Sequence, residues 1–214
     1  MTSTHVATTQ RRMPGGRRYD LMLFLGTRGR ERAFRSRQAD LARIAAGETV
    51  LDVGCATGTL AIEAARRVGP SGSVHGIDPR ADLIGRAAKK ARRAGVAIDL
   101  RTGAAEQLPF ADASFDVVLS TLVWHHLPHD VLRGAAAEAR RVLKPGGRLL
   151  VVDIGGEQGG ARTLHAPHGG VPMFDLDAVA ERLGNVGLEI VETGPIESGM
   201  PKLERLRYVL ATPA

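Results

Sequence analysis

The chain has 214 residues, of which 43% are hydrophobic and 24% are charged, with one cysteine and a formal net charge of +6. This length suits one α/β domain, and no run approaches the ~18 consecutive apolar residues of a membrane-spanning helix. The single cysteine excludes an intrachain disulfide and any zinc or iron–sulfur site built from cysteines alone. The first residues lack the apolar core of a secretory signal, so we expect a reduced, cytoplasmic compartment.

The positive charge lies at the N-terminus. Residues 1–40 contain nine arginines and three acidic residues, so the rest of the chain is neutral. A solvated arm explains such a segment most simply, whereas an anionic small molecule, a membrane surface or nucleic acid would also suit it. Aromatic residues make up only 4% of the chain, too few for a base-stacking platform. We therefore expect no specific nucleic-acid site and keep peripheral membrane contact as a hypothesis.

The chain order predicts a flexible arm over residues 1–18 and a single domain over 19–214, whose first part, 19–46, is an N-terminal cap segment with a helix at 31–46. From residue 49, buried strands alternate with helices of 10–15 residues, which predicts a parallel sheet covered on both faces. The predicted strands cover 49–53, 73–77, 97–101, 115–120 and 148–153, and the predicted helices cover 59–68, 80–94 and 131–143.

The end of the chain breaks this alternation. A glycine-rich loop at 155–173 and a helix at 175–186 precede two strands, at 188–192 and 204–211, with no helix between them. Those two strands should pair antiparallel. The expected α/β fold therefore has a seven-stranded, mostly parallel sheet with an antiparallel C-terminal strand.

The turn after the first strand is the first candidate binding site. In VLDVGCATG (50–58), small residues at Gly54, Ala56 and Gly58 let a ligand lie against the backbone at a helix N-terminus. Asp52 precedes these residues, and a carboxylate there repels a pyrophosphate but suits an ammonium group. Thr59 stands at the third glycine position of the dinucleotide-binding motif, so the spacing disfavours a nicotinamide cofactor.

Asp78 ends the second strand in GIDP (76–79), about twenty residues after the turn. A carboxylate at this place can accept hydrogen bonds from both hydroxyls of a ribose. Alternatively, Asp78 caps the helix that starts near Arg80. Together with Asp52 and the turn, ribose binding is the favoured interpretation.

Five segments in order carry a resemblance to a known family: VLDVGCATG (50–58), GIDP (76–79), GAAEQLPF (103–110), FDVVLSTLVWHHL (115–127) and RVLKPGGRLLVVD (141–153). The chain resembles class I S-adenosylmethionine-dependent methyltransferases over residues 19–155, specifically the type 11 group that is similar to ubiquinone/menaquinone C-methyltransferases. The resemblance implies a Rossmann-like three-layer sandwich, methyltransferase activity and S-adenosylmethionine as cofactor.

The resemblance also implies which residues surround the donor. The methionine part faces the first turn and the end of the fourth strand, the ribose is held by Asp78, and the adenine lies near the segments that follow. Ala104 stands where the family often has an acid for the adenine amino group, which leaves that contact to the backbone, water or Glu106. The implied donor-binding residues are Asp52, Gly54, Cys55, Ala56, Gly58, Asp78, Pro79, Arg80, Ala104, Ala105, Glu106, Ser120 and Thr121.

Few catalytic groups are expected, because a sulfonium methyl is already activated and in-line approach supplies much of the acceleration. A base is required only if the acceptor is a phenol, an enol or a carbon acid. His125 and His126 are candidates, and His126 is favoured because the family commonly keeps a histidine in this segment. Tyr19 is a third candidate, since the N-terminal segment caps the donor site in relatives; packing roles are the alternative for all three.

No metal site is expected, because His165 and His168 have no third ligand at a recognisable spacing. The expected function is methyl transfer from S-adenosylmethionine to a small, partly apolar acceptor. One alternative is a nicotinamide-dependent oxidoreductase of the same architecture. Another is a non-catalytic S-adenosylmethionine-binding protein that uses its arginine-rich N-terminus for partners.

Overall fold

A computed structural model describes residues 15–155, 176–197 and 206–214. The α-helices of these ranges are α1 (Gly16–Gly26), α2 (Glu31–Leu41), α3 (Thr59–Val68), α4 (Ala81–Ala94), α5 (His129–Val142) and α6 (Leu176–Gly184). The strands are β1 (Thr49–Val53), β2 (Ser73–Asp78), β3 (Asp99–Thr102), β4 (Phe115–Thr121), β5 (Leu143–Ile154), β6 (Leu188–Pro195) and β7 (Leu206–Pro213). Short 3₁₀ turns cover Gly69–Ser71 and Trp124–His126.

The seven strands form one sheet in the order β3-β2-β1-β4-β5-β7-β6. Neighbouring strands from β3 to β5 are parallel, whereas β7 is antiparallel to both β5 and β6. The predicted seven-stranded, mostly parallel α/β sheet with an antiparallel C-terminal strand is therefore confirmed. The chain winds outward from β1 in both directions, and such a reversal of strand order opens a crevice at the carboxyl ends of the strands.

Two buried clusters lie on opposite faces of the sheet, as the period-2 alternation of strand side chains requires. Leu51 belongs to the cluster that includes Leu132 of α5 and Leu183 of α6. Its neighbour Val50 belongs to the cluster with Phe34 of α2 and residues of α3. Helices thus cover both faces and form the predicted three-layer sandwich.

The main boundary differences lie at the start of the chain and in β5. The helix α1 begins at Gly16, so residues 16–18 of the predicted arm are helical, and the helix predicted over 31–46 ends at Leu41. The strand predicted at 148–153 begins earlier, because β5 starts at Leu143 and shifts its register against β4 before Arg148, with Gly146 at a φ of 75°.

Some predictions concern residues outside the described ranges. Residues 1–14 of the predicted arm, and residues 156–173 of the predicted loop with His165 and His168, belong to this group. Within the described ranges, no helix has the length and apolar character needed to cross a lipid bilayer. The same ranges hold no cluster of three or more potential metal ligands.

Candidate functional site

A crevice opens beside the carboxyl ends of β1, β2 and β4, where the strand order reverses. It is lined by Tyr19, Val53, Gly54, Ala56, Ile77, Asp78, Pro79, Arg80, Leu83, Gly103, Ala104, Ala105, Glu106, Thr121, Leu122, Val123, His126 and Leu127. Most of the predicted site residues therefore gather around one space. The structure does not place Asp52, Cys55, Gly58, Ser120 or His125 on its wall.

The turn after β1 has room for almost nothing larger than glycine at two positions. Gly54 has φ of 76°, and a Cβ added to it would lie 2.3 Å from Cγ2 of Val123. Gly58 has φ of 75°, and its added Cβ would lie 2.9 Å from Cβ of Ala87. Between them, Ala56 has φ of 47°, a left-handed conformation that is costly for a residue with a Cβ. The backbone of this turn, which has no side chain at Gly54 and is strained at Ala56, forms part of the crevice wall.

The backbone N–H groups of this turn are engaged within the protein. Those of Gly54 and Cys55 both donate to the carbonyl oxygen of Ile77, at 2.8 and 3.0 Å. The Ala56 N–H donates to Oδ2 of Asp78 at 3.0 Å, and the Gly58 N–H donates to the Cys55 carbonyl oxygen at 2.8 Å. Because these N–H groups are taken, the turn is poorly suited to cradle a pyrophosphate, which argues against the nicotinamide alternative.

Asp78 joins the ends of β1 and β2 through both of its carboxylate oxygens. Besides the bond from Ala56, its Oδ1 accepts the N–H of Arg80 at 2.9 Å. Burial raises the pKa of Asp78, although the two N–H bonds act in the opposite direction. Each carboxylate oxygen has two lone pairs, so Asp78 can accept further hydrogen bonds from a ligand in the crevice that it lines. The bond to Arg80 precedes α4, which begins at Ala81 rather than at Arg80.

Three buried polar atoms at the ends of β1 and β4 have no hydrogen-bond partner among the described residues. They are Oδ2 of Asp52, Oγ of Ser120 and Oγ1 of Thr121. Burial raises the pKa of Asp52 to about 7; the positive charge of Arg35 opposes this shift and the negative charge of Asp78 adds to it. Buried polar groups are rarely left unpaired, so these atoms indicate that a polar ligand or water belongs beside them.

The helix α1 covers one side of the crevice with Tyr19. This side chain is buried against Leu23, Leu83 and Ala56, and burial raises the pKa of its hydroxyl. The predicted cap segment is thus in contact with the turn after β1. Tyr19 lies where a ligand in the crevice would touch it, while its role in catalysis stays a prediction.

A hydrogen-bonded network holds this helix against the turn after β1 and against α4. We name it the α1 latch, and its members are Asp20, Thr57, Arg86 and Lys90. One carboxylate oxygen of Asp20 accepts bonds from Thr57 at 2.7 Å and Lys90 at 3.0 Å, and the other accepts a bond from Arg86 at 2.7 Å. Burial acts to raise the pKa of Asp20, but these bonds outweigh it and hold the pKa below its usual range. Sequence reasoning missed the latch; the i,i+4 spacing of Arg86 and Lys90 on α4 was the available signal.

The two candidate histidines have different surroundings. His125 Nδ1 lies 2.6 Å from Oδ1 of Asp153, and the carboxyl group of Asp153 is almost fully buried. His126 lines the crevice and is exposed at its mouth, with its ring centroid 3.8 Å from that of His125. Partial desolvation of the ring by the surrounding protein lowers the pKa of His126, and the electrostatic effect of the neighbouring His125 lowers it further. The lowered pKa favours the neutral form of His126 near neutral pH, and its role in catalysis stays a prediction. His125 is held by a buried partner that the sequence analysis missed.

Comparison with known proteins finds a matching domain family and similar folds. Residues 50–147 match the family model of a methyltransferase domain. A crystal structure of an S-adenosylmethionine-dependent methyltransferase from Aquifex aeolicus superposes with a TM-score of 0.68 at 21% identity, covering 85% of this chain and 91% of that chain. The [4+2]-cyclase SpnF has a TM-score of 0.70 at 23% identity over 86% and 81% of the two chains. Residues 50–147 are thus similar to a methyltransferase domain, and the chain shares a Rossmann-like fold with an S-adenosylmethionine-dependent methyltransferase.

One sequence relative shows which group of methyltransferases the chain resembles. The ubiquinone/menaquinone biosynthesis C-methyltransferase of Bordetella avium is 37% identical over 137 residues, which are 64% of this chain and 53% of that protein. The chain spans about half the length of the curated relatives it matches. The predicted resemblance to S-adenosylmethionine-dependent methyltransferases of the quinone C-methyltransferase group is therefore confirmed.

Proposed function

We propose that this chain transfers a methyl group from S-adenosylmethionine to a small, partly apolar acceptor, with a reduced quinone ring as the favoured class. The observation that carries the proposal is the crevice at the switch point, which is lined by the carboxylate of Asp78, the unpaired hydroxyl of Thr121 and apolar side chains around them. When bound, S-adenosylmethionine supplies a methyl group activated by a positively charged sulfur.

The residues present fit the polar parts of this donor. Asp78 would accept hydrogen bonds from the ribose hydroxyls with the lone pairs that its backbone bonds leave free. The unpartnered hydroxyl of Thr121, which lines the crevice, would serve the polar methionine end, whereas the unpartnered oxygens of Asp52 and Ser120 are buried off the wall. Asp52 is buried off the crevice wall, so its carboxyl charge would act on the donor at a distance rather than by direct contact.

The part of the crevice that would hold the adenine is lined by small apolar side chains and by two charged ones. Pro79, Arg80, Ala104 and Ala105 border this part of the crevice, and Glu106 is the acidic side chain available there in place of the acid that the family often has at 104. We infer that Glu106, backbone groups or water take the adenine amino group, and that the apolar surface of the alanines packs against the ring.

The acceptor side is formed by Leu122, Val123, Leu127 and His126 near the mouth of the crevice. Leu122 has φ of 59°, a strained conformation of the kind that clusters at functional sites. A quinol ring presents an apolar face to such a wall and a hydroxyl group at its edge. The name of the Bordetella relative, a quinone C-methyltransferase, supports this acceptor class.

The chemistry requires little beyond alignment and one proton acceptor. Carbon methylation of a quinol ring needs removal of a proton, and His126 is the neutral base at the crevice wall that would take it. Tyr19 and Leu23 of α1 pack over the turn after β1 and would keep water from the reacting atoms. His125 and Asp153 hold the segment that carries His126.

Two measurements test the proposal with the full chain. Calorimetry with S-adenosylhomocysteine should give micromolar-scale binding, whereas NAD and NADH should give no heat and no thermal shift. Methyl transfer is then followed by mass spectrometry with a soluble demethylated naphthoquinol. Thermal stabilisation by NADH alone would favour the oxidoreductase, and donor binding without turnover of any quinol or phenol would favour the non-catalytic binding protein.

A further inference from the structure

The helix α1 has two apolar faces, and only one of them is packed. Tyr19 and Leu23 point into the protein and are buried. Leu21, Phe24 and Leu25 are 56%, 58% and 65% exposed. They account for all but one of the large hydrophobic side chains exposed within the described ranges, where Val191 is the other. Such a concentration on one short helix marks an interaction surface rather than the usual scatter of exposed apolar residues.

Helical geometry places these side chains together. At about 100° per residue, Leu21, Phe24 and Leu25 fall within an arc of about 100°, and Arg17 falls within the same arc while Arg18 lies at its edge. Both arginines are exposed. We name this set the α1 outer face. It combines three apolar side chains with two cations at the N-terminal end of the helix.

A basic groove adjoins this face. It lies between α2, α3 and α4, and its wall includes Arg32, Arg66, Lys90 and Arg93 against the single acid Glu63. Lys90 also bonds Asp20 of α1, so the groove meets α1 at the α1 latch. Arg66 pairs with Glu63 at 3.6 Å, whereas Arg32 and Arg93 are exposed at the rim. The surface beside the α1 outer face is therefore positively charged.

We propose that the α1 outer face and the basic groove dock onto an anionic lipid surface. Apolar side chains at helical spacing insert at the boundary between headgroups and acyl chains, and arginines beside them meet the lipid phosphates. A second copy of this chain is disfavoured as the occupant, because a two-fold contact would bring together two copies of the same positively charged surface. Nucleic acid would satisfy the arginines but would leave Leu21, Phe24 and Leu25 in water.

The position of the α1 outer face links lipid docking to the crevice. The same helix that presents the outer face to lipid lays Tyr19 on the crevice wall. A docked molecule would thus hold its crevice close to the lipid phase, where an apolar acceptor dissolves. Docking itself does not depend on methyl transfer, so each can fail without the other.

The test is co-sedimentation of the full chain with phosphatidylcholine vesicles that either contain or lack phosphatidylglycerol. Binding is expected only with the anionic lipid. The variants Leu21→Ser/Phe24→Ser/Leu25→Ser and Arg32→Glu/Arg93→Glu should each lower the partition coefficient about tenfold or more. Val191→Ser and Arg133→Glu are the matched controls, because they change an exposed apolar residue and an exposed arginine elsewhere, and both should bind as the unchanged chain does.

Four outcomes would overturn the inference. One is equal sedimentation with neutral and anionic vesicles, and another is anionic binding that neither set of variants weakens. The third is a molecular mass in light scattering that falls from dimer to monomer in the triple serine variant, which would assign the α1 outer face to a second copy. Tight RNA binding that persists in the triple serine variant would assign the arginines to nucleic acid. Donor affinity is measured alongside by calorimetry and should stay unchanged in every variant, which separates this inference from the proposed function.

Discussion

Asp153 binds His125 twice, through the imidazole Nδ1 at 2.6 Å and through the backbone N–H at 3.1 Å. The carboxyl group is 1% exposed and also accepts the N–H of its neighbour Ile154. The end of β5 thereby holds the 3₁₀ turn that carries His126 to the crevice. Residues 28 positions apart in the chain are coupled by a charge that has been removed from water.

Replacement of Asp153 by asparagine tests this coupling. The amide keeps the shape but loses the charge and one acceptor, so we expect a loss of about 1–3 kcal/mol in the free energy of unfolding. Methyl transfer should fall while donor affinity stays within about twofold, because His126 shifts and the donor contacts do not. Urea denaturation and calorimetry measure both effects. The control is Asp130→Asn at an exposed position in the first turn of α5, and equal denaturation midpoints for the two variants would contradict the prediction.

Asp78→Asn should weaken donor binding. One carboxylate oxygen becomes an N–H₂ group that faces the N–H of Ala56 or Arg80, and the charge that would bind the ribose is lost. Loss of a charged acceptor corresponds to about 1.5–3 kcal/mol, or about 10- to 100-fold in the dissociation constant of S-adenosylhomocysteine. Calorimetry measures it, and Asp82→Asn, an exposed carboxylate close by in the chain, is the control. Unchanged affinity in a folded Asp78→Asn variant would remove Asp78 from the donor site.

Asp52→Asn should make the protein more stable at high pH. The pKa of Asp52 rises from an ordinary value of 3.8 to about 7, so the folded state binds its proton more tightly than the unfolded state. The contribution of this group to stability is therefore complete below pH 4 and is lost as the pH rises through about 7. As the pH is raised from 5 to 8, the free energy of unfolding of the variant should increase relative to that of the unchanged chain, by at most about 4 kcal/mol.

Thermal unfolding at both pH values measures this gain. The Asp130→Asn variant, exposed at the start of α5, should show the same difference from the unchanged chain at each pH. A pH-independent difference for Asp52→Asn would mean that the buried carboxyl group titrates normally.

The α1 latch predicts that Asp20→Asn loosens the first helix. Asp20 accepts bonds from Arg86 and Lys90, and weakening them by about 1–2 kcal/mol should raise opening of α1 by about 5- to 30-fold. Hydrogen exchange over residues 16–26 measures this opening. Asp40→Asn is the control, since that carboxylate pairs with Arg67 at an exposed site. Equal exchange rates in the two variants would show that α1 is held by apolar contacts alone.

The same carboxylate gives α1 a pH dependence of the opposite sign to that of Asp52. The pKa of Asp20 is lower in the folded protein than its ordinary value of 3.8. Its contribution is therefore complete above the unfolded pKa and is lost as the pH falls through the lower, folded one. Opening of α1, obtained from exchange rates corrected for the intrinsic pH dependence of amide exchange, should increase on acidification below about pH 4 in the unchanged chain and respond less in Asp20→Asn.

Gly54→Ala should destabilise the fold more than Gly95→Ala. Both glycines have positive φ, of 76° and 69°, so both substitutions carry a backbone cost of about 1 kcal/mol. A Cβ at position 95 meets nothing within 4 Å, whereas one at 54 lies 2.3 Å from Val123. This contact should add about 1–3 kcal/mol, measured by urea denaturation. The double variant Gly54→Ala/Val123→Ala should recover part of the loss; no recovery would mean that another contact is responsible.

The local pattern of the sequence determined most of the scaffold of this protein. Apolar runs, helical periodicity and glycine positions predicted β1 and α3 with the boundaries that the structure has, because strand and helix formation depend on neighbouring residues. The switch point followed from the alternation of strands and helices, which placed Asp78, Gly54 and Thr121 near one edge of the sheet. Position along a strand is also why Asp52 is off the crevice wall: it alternates with Val53, which lines the crevice.

Only the tertiary structure decided how distant segments meet. The contacts of Asp20 with Lys90 and of His125 with Asp153 join residues 70 and 28 positions apart, and such pairs depend on strand order and on how helices pack across the sheet. The exposure of Leu21 and Phe24 on α1 is decided in the same way, because an apolar residue is buried only where another element covers it. Local propensity acts over a few residues, whereas burial, pairing and pKa depend on neighbours in space that the order of residues alone does not reveal.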